Sequence, residues 1–133
     1  MYDACLYKQN GIRPNEASVI QEEAEIRFMV GIAPEVECTP WAILRVPRQP
    51  GIYWFRDHRG VFYVGQTDSL RRRYKEHVRG TENRRLREYL NAPVGNLVFG
   101  WVLCAPADLD VLERTFIRFF TPACNRILYP VTR

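Results

Sequence analysis

The sequence predicts an α+β domain with one small sheet flanked by helices. Two segments, residues 51–56 and 61–65, are rich in aromatic and β-branched residues and are joined by a short turn ending in glycine, which predicts a β-hairpin. The later elements are a helix over 69–78, a helix over 84–90, a strand in "NLVFGWVLC" and a helix over 109–120. The expected core order is therefore β-β-α-α-β-α, with a mixed or antiparallel three-stranded sheet.

A helical extension precedes this core. Residues 15–30 have early acidic residues and six apolar positions, and Gly31 and Pro34 follow, which predicts one helix. The proline-punctuated stretch "TPWAILRVPRQP" predicts an extended connection. We therefore expect an N-terminal helical extension, residues 1–45, packed on a core formed by residues 46–133.

Charge is divided unevenly along the 133 residues. Residues 1–50 hold five Lys/Arg and seven Asp/Glu, a balance of −2, whereas residues 51–133 hold fourteen and eight, a balance of +6. The basic part predicts an anionic partner such as nucleic acid. The four cysteines form no CxxC pair, which argues against a zinc site. The sequence shows no signal peptide and no apolar run long enough to span a membrane, so we expect an intracellular protein.

Helical periodicity separates the basic residues of "LRRRYKEH". Arg73 and His77 are four residues apart and border the apolar face, so they should lie side by side near the sheet. Arg73 in that position suits either a structural ion pair or a functional contact. The opposite, solvated face carries Arg71, Arg72 and Lys75.

Glu113 is the unusual residue of the last helix. It falls within an apolar arc of that helix, and a carboxylate there is costly unless it is paired or binds a metal. One interpretation pairs Glu113 with an inward arginine such as Arg73. The other makes it a ligand for a hard divalent cation.

Tyr53 and Tyr63 occupy the two strands of the predicted hairpin. Their spacing allows both hydroxyls to reach the same face of the sheet. Tyrosines on strands are commonly packing residues, but a nearby cation lowers the pKa of a phenol and can make it a general base. Both interpretations are open at this point.

These residues together resemble the signature of the GIY-YIG nuclease superfamily over residues 46–126. "GIY" stands at 51–53 and "YVG" at 63–65, with a gap one residue shorter than usual and valine in place of isoleucine. Arg73 with His77 resembles the helix that carries the family's phosphate-binding arginine. Glu113 resembles its metal-binding glutamate, and Asn125 in "TPACN" resembles the asparagine that follows its last helix.

The resemblance implies hydrolysis of phosphodiester bonds, with DNA as the expected substrate. It also implies one Mg²⁺ or Mn²⁺ ion held by Glu113. Arg73 would hold the phosphate, and Tyr53 would take a proton from water with Tyr63 and His77 assisting. In an alternative, His77 is the base and Tyr53 orients it. The other site residues implied are Asn125 in the catalytic set, Gly65 as a close approach to the substrate, and Arg71, Arg72 and Lys75 as substrate contacts.

The sequence lacks the cysteine-rich zinc domain, the further nuclease and helix-hairpin-helix domains and the long DNA-binding tail of larger members, so we expect a stand-alone member whose subfamily is open. Restriction, phage-related and single-strand-specific nucleases all fit. The alternative functions are a catalytically silent nucleic-acid-binding module and a protein-interaction module on the same scaffold. Residues 1–45 would supply substrate selection, the contact of a homodimer or a packed cover.

Overall fold

The computed structural model describes residues 16–129, with ten elements between them. The chain begins with helix α1 (Glu16–Ile32), strand β1 (Glu35–Glu37) and a 3₁₀ helix (Ala42–Arg45). Strands β2 (Gly51–Asp57) and β3 (Gly60–Thr67) then lead into helices α2 (Leu70–Arg79) and α3 (Arg84–Asn91). Strand β4 (Val98–Leu103), a second 3₁₀ helix (Pro106–Asp108) and helix α4 (Leu109–Phe120) complete the described part.

The sheet is antiparallel and has four strands in the order β1-β4-β2-β3. The α+β class and the antiparallel sheet are confirmed, but the expectation of three strands is wrong. The fourth strand is β1, whose three residues pair with Gly100, Phe99 and Val98 of β4. A strand this short has no detectable alternation, because its β-structure is imposed by the neighbouring strand rather than by its own sequence.

Alternation along β2 sends successive side chains to opposite faces of the sheet, and each face has its own core. On one face, Tyr53 and Phe55 pack with residues from α2, α3 and β4. On the other face, Ile52 and Trp54 pack against α4 and α1. The sheet is therefore a middle layer, which explains why β2 is buried along most of its length.

The described part of the N-terminal extension contributes to this architecture. Ile26 of α1 is fully buried in the core beneath α4, and β1 extends the sheet itself. The helix runs to Ile32, two residues beyond the predicted end, because Gly31 is tolerated inside a helix and Pro34 is the real stop. Residue 15, the predicted start, lies outside the described residues. The division of the chain at residue 45 stays a prediction.

Two further sequence expectations need correction. The stretch expected to be extended contains the first 3₁₀ helix, which buries Ala42 against the core. Helix α2 begins at Leu70, one residue later than predicted, because Ser69 is its N-cap: the Ser69 side chain accepts a hydrogen bond from the backbone N–H of Arg72. Among the described residues, no helix is long and apolar enough to cross a membrane.

Candidate active site

The Tyr53 hydroxyl lies at the junction between the sheet and helix α2. Strand β2 directs this side chain into the core, where it is only 1% exposed. Its oxygen is 2.8 Å from Nε2 of His77 and accepts a hydrogen bond from Nε of Arg73 at 3.3 Å. Arg73 and His77 lie one helical turn apart on α2, as their spacing predicts, so one phenol contacts both.

Burial sets the charge state of this group. It raises the pKa of Tyr53 well above its ordinary value, an effect that the nearby Arg73 cation only partly offsets. Burial, together with the same cation, lowers the pKa of His77 to about 4. Near neutral pH both side chains are therefore uncharged. The Tyr53 oxygen and Nε2 of His77 share one hydrogen bond, and the tautomer of the imidazole decides which of the two donates. Nδ1 of the ring is buried and has no hydrogen-bond partner among the described residues.

Gly65 lies directly opposite Tyr53 in the β2–β3 pairing. A Cβ atom at this position would overlap the Tyr53 ring, with Cε1 only 2.8 Å away. Glycine is thus required here for the tyrosine ring to cross the neighbouring strand. This packing role was missed by the sequence interpretation, and the expected contact between Gly65 and the substrate stays a prediction.

Tyr63 shares the face of Tyr53, as predicted, but it is only partly buried. Its ring centroid lies 6.1 Å from that of Tyr53 and 5.5 Å from that of His77. Tyr63 also lines an open cavity of about 610 Å³, called here the catalytic groove. Other lining residues are Arg73, His77, Glu113 and Asn125, whereas Tyr53 lies behind the groove wall.

Glu113 reaches the catalytic groove from α4, on the opposite side of strand β3. Its Oε1 accepts a hydrogen bond from Nε2 of Gln66 at 3.1 Å, and the same amide donates to Asp110 at 2.6 Å. Burial raises the pKa of Glu113. The proposed pairing with Arg73 is wrong, because Arg73 forms its ion pair with Glu76 at 3.1 Å.

Gln66 is the site residue that the sequence interpretation missed. It follows "YVG" and lies on the α4 side of β3, because its register partner is Ile52, which faces α4. That alternation was visible in the sequence, but the meeting of β3 with Glu113 requires the packing of α4 on the sheet. The sequence signal that could have identified Gln66 is its position: it is a polar residue directly after "YVG".

Asn125 fastens the segment after α4 to the edge strand. Its side-chain oxygen accepts from the backbone N–H of Val64 at 2.9 Å, and its amide donates to the carbonyl of Val64 at 2.8 Å. The side chain thereby satisfies backbone groups that the outer edge of β3 leaves unpaired. Asn125 thus holds the wall of the catalytic groove in place, and its predicted catalytic part stays a prediction.

The three predicted substrate contacts on the outer face of α2 lie away from the catalytic groove. Arg71 is half-buried rather than free on the surface, because it donates to the backbone carbonyls of Val46 and Leu44 at 2.8 and 3.3 Å. Arg72 pairs with Asp68 at 2.6 Å. Lys75 is exposed.

The donor set of the catalytic groove suits a hard cation that keeps most of its waters. Within residues 16–129 there is no cluster of three or more His, Cys, Asp or Glu side chains able to hold a metal. Glu113 offers a carboxylate on the groove wall and has no basic partner within 4 Å in the described part of the chain. One carboxylate with water in the remaining positions is a common arrangement for Mg²⁺.

Comparison with known families agrees with this arrangement. The family model of the GIY-YIG catalytic domain matches residues 49–121, from just before β2 to the end of α4. The chain belongs to the GIY-YIG family. The matched residues form an endonuclease domain of that family. Both tyrosines, Arg73, His77 and Glu113 fall inside the matched region.

The curated relatives are UvrABC system C proteins. The chain is 32% identical over 85 residues to UvrABC system protein C of Tropheryma whipplei (strain Twist), a match that covers 62% of this chain and 14% of that protein. The same protein of Corynebacterium jeikeium is 32% identical over 81 residues, covering 60% of this chain and 12% of its own length. The chain therefore spans only a small part of the relatives that it matches.

Solved structures share the fold. The N-terminal endonuclease domain of UvrC from Thermotoga maritima, bound to magnesium as its catalytic divalent cation, is 21% identical with a TM-score of 0.52. The likeness covers 63% of this chain and 91% of that one. A point mutant of the same domain gives 18% identity and a TM-score of 0.54, covering 65% and 92%. At sequence identities this low, the structural similarity shows that the fold is shared and nothing beyond the fold.

A methyl group at Gly65 should destabilise the fold. Gly65→Ala must displace the Tyr53 ring, and overpacking of this kind costs about 1–3 kcal/mol. Gly31→Ala is the matched control, because a Cβ there meets nothing within 4 Å and alanine favours the helix by up to about 1 kcal/mol. Urea unfolding monitored by circular dichroism measures both. Equal midpoints for Gly65→Ala and the wild type would contradict the steric argument.

His77 should make stability depend on pH. The unfolded chain binds this proton with a pKa near 6.5 and the folded chain with a pKa of about 4. The stabilisation is therefore complete above pH 6.5 and is lost as pH falls toward 4, by about 3 kcal/mol. His77→Gln removes this contribution and leaves every carboxylate of the protein unchanged. Urea unfolding at several pH values should give a steeper acid loss in the wild type, and parallel curves would disprove the assignment.

Proposed function

We propose that this chain is a metal-dependent endonuclease that hydrolyses phosphodiester bonds in DNA, with one Mg²⁺ or Mn²⁺ in its site. The observation that carries the proposal is the meeting of Arg73, Tyr63 and Glu113 on the walls of one groove. These groups come from α2, β3 and α4, and they supply a cation, a phenol and a carboxylate. In phosphodiester hydrolysis such groups can stabilise the phosphate charge, transfer a proton from water and hold a metal ion.

Arg73 is the proposed phosphate contact. Tyr53 and Glu76 already hold its guanidinium, which reduces the conformational entropy that binding must overcome. Its side chain keeps 39% exposure, so it remains accessible from the groove. A charge-assisted contact with the phosphate would contribute about 1.5–3 kcal/mol.

The proposed proton acceptor next to water is Tyr63 rather than Tyr53. Tyr53 is buried behind the groove wall and its raised pKa keeps it protonated, which argues against direct contact with the attacking water. Tyr63 would take the water proton and pass its own to the Tyr53 oxygen. In the tautomer whose Nε2 is unprotonated, His77 would in turn accept the Tyr53 proton across this 2.8 Å contact.

Substrate binding would make this transfer more favourable. The positive charge of Arg73 is one of the causes that lower the pKa of His77. A bound phosphate offsets that charge, so the pKa of His77 rises when substrate is present. His77 is then a better acceptor in the complex than in the free protein. Tyr53 serves as the residue that orients both Arg73 and His77.

Glu113 is the proposed metal ligand, and Gln66 orients its carboxylate. When bound, the ion would stabilise negative charge on the leaving oxygen and on the phosphate. The hydrogen bond from Gln66 fixes one carboxylate oxygen and leaves the other free for the ion. Asn125 supports the same groove by fixing β3.

A catalytically silent binding module on this scaffold is the alternative function, and a protein-interaction module is a further one. Incubation with single-stranded, duplex and branched DNA, and with RNA, in Mg²⁺, Mn²⁺ or EDTA decides between them. Cleavage that requires the metal supports the proposal, and absence of cleavage in all substrates supports a silent module. Sedimentation of the same preparation tests the predicted homodimer through residues 1–45.

Loss of the carboxylate should abolish cleavage without unfolding the protein. Glu113→Gln keeps the size of the side chain but removes the charge that would hold the ion. Gln66→Ala should weaken Mg²⁺ binding by roughly 10–100-fold, as expected for loss of a group that orients a ligand. Gln49→Ala, at an exposed glutamine outside the groove, is the control. Calorimetric titration with Mn²⁺ and cleavage assays measure both effects, and full activity of Glu113→Gln would rule out the metal role.

The arginines of α2 should separate by helix face. Arg73→Ala should lower kcat/KM by roughly 10–100-fold, because it removes the charged contact to the phosphate. Arg72→Ala should leave kcat nearly unchanged and raise KM, since Arg72 faces away from the catalytic groove. Steady-state kinetics on one DNA substrate distinguish the two. Similar losses of kcat in both variants would contradict this assignment.

A further inference from the structure

A second groove lies on the other side of α2. It is formed by the first 3₁₀ helix and the outer face of α2, has a cavity of about 370 Å³, and is called here the basic groove. Its basic lining residues are Arg48, Arg71, Arg72 and Lys75. Leu44 contributes an apolar wall, and no carboxylate lines the cavity. The groove therefore favours an anion over a cation or a neutral peptide.

The positive charge of the basic groove is only partly neutralised within the described residues. Arg72 is paired with Asp68 and lies near Glu76. Arg71 is fixed on the wall by two backbone carbonyls, which bind its N–H groups without removing its charge. Arg48 and Lys75 form no ion pair in the part of the chain that the structure describes, and both are exposed. These two side chains are free to reach an anion.

An exposed tryptophan precedes the 3₁₀ helix that lines the same groove. Trp41 immediately precedes the 3₁₀ helix and is 76% exposed, whereas the other tryptophans, Trp54 and Trp101, are 0% and 6% exposed. Residues three apart lie above one another in 3₁₀ geometry, which places Trp41 beside Leu44 on one side of this helix. Leu44, itself 72% exposed, lines the basic groove. An exposed aromatic surface thus lies on the same side of this helix as a residue that lines the basic groove.

We propose that the basic groove binds a single-stranded segment of the nucleic-acid substrate. Arg48 and Lys75 contact successive phosphates, and an unpaired base stacks on Trp41. Aromatic stacking combined with a positive groove is the usual means of binding single strands. Bases within a duplex are already stacked on one another, so a single strand satisfies both features at once.

The proposal refines the substrate of the catalytic groove and therefore rests on the proposed function. The two grooves lie on opposite sides of α2, since Arg73 and His77 line one while Arg71 and Lys75 line the other. A strand that crosses α2 from one groove to the other would occupy both. The preferred substrate is then a nucleic acid with a single-stranded region beside the cleaved bond. Binding in the basic groove itself requires neither metal nor catalysis.

Tryptophan fluorescence tests the proposal directly. The full chain in EDTA is titrated with an oligothymidine of about ten nucleotides, a length within the site sizes of strand-binding grooves. Because Trp54 and Trp101 are buried, quenching reports on Trp41. We expect strong quenching by the single strand and weak quenching by a duplex of the same length. Trp41→Ala should bind the oligomer roughly tenfold more weakly by anisotropy. Unchanged emission at saturation, or unchanged affinity of Trp41→Ala, would overturn the proposal.

The salt dependence of single-strand affinity tests the proposed phosphate contacts of Arg48 and Lys75. Removal of both Arg48 and Lys75 should lower the slope of log affinity against log salt by about 1.4, because each phosphate contact on a single strand contributes about 0.7. The matched control removes Arg84 and Arg87 from the exposed face of α3, with the same change in net charge. Equal slopes for the two double variants would show only a general charge effect and overturn the proposal.

The two hypotheses fail in different ways. Quenching by single strands without metal-dependent cleavage of any nucleic acid would support the groove and contradict the proposed catalytic function. Cleavage of DNA without quenching would support catalysis and contradict the groove. Equal quenching by duplex DNA, or by an acidic peptide such as oligoglutamate, would overturn the single-strand assignment.

Discussion

The hydrogen-bonded Tyr53 hydroxyl links the sheet to α2 and fixes the geometry of the site. One phenol contacts both Arg73 and His77, so the orientations of the guanidinium and of the imidazole have a common cause. The low polarity of this position keeps both Tyr53 and His77 neutral. Gly65 is part of the same arrangement because only a residue without Cβ leaves space for the ring.

Strand β3 is the other organising element, since the catalytic groove passes over this edge of the sheet. Tyr63 projects to the α2 side, whereas Gln66 projects to the α4 side and contacts Glu113. An edge strand allows groups from both faces to meet in one groove, which a central strand would prevent. Asn125 supplies hydrogen bonds along the open edge and keeps that strand from pairing elsewhere.

The residues before the family match also affect the surface presented to nucleic acid. Strand β1 adds a fourth strand at one edge of the sheet, and the 3₁₀ helix that follows it packs beside α2. Arg71 of α2 donates hydrogen bonds to the backbone carbonyls of Val46 and Leu44. This side chain, which the sequence placed on the solvated face, therefore also stabilises the contact between the two helices. The exposed Trp41 immediately precedes this 3₁₀ helix. The proposed single-strand groove thus includes a segment outside the catalytic signature.

The sequence by itself determined the hairpin, the last helix and the pairing of Arg73 with His77 on one helix face, because local periodicity and turn chemistry specify these features. It also pointed to Glu113 as a carboxylate near an apolar surface. The tertiary structure alone decided the fourth strand, the burial of Tyr53, the need for glycine at position 65 and the contact between Gln66 and Glu113. These depend on contacts between elements distant in sequence, where packing and desolvation, rather than local preference, determine the outcome.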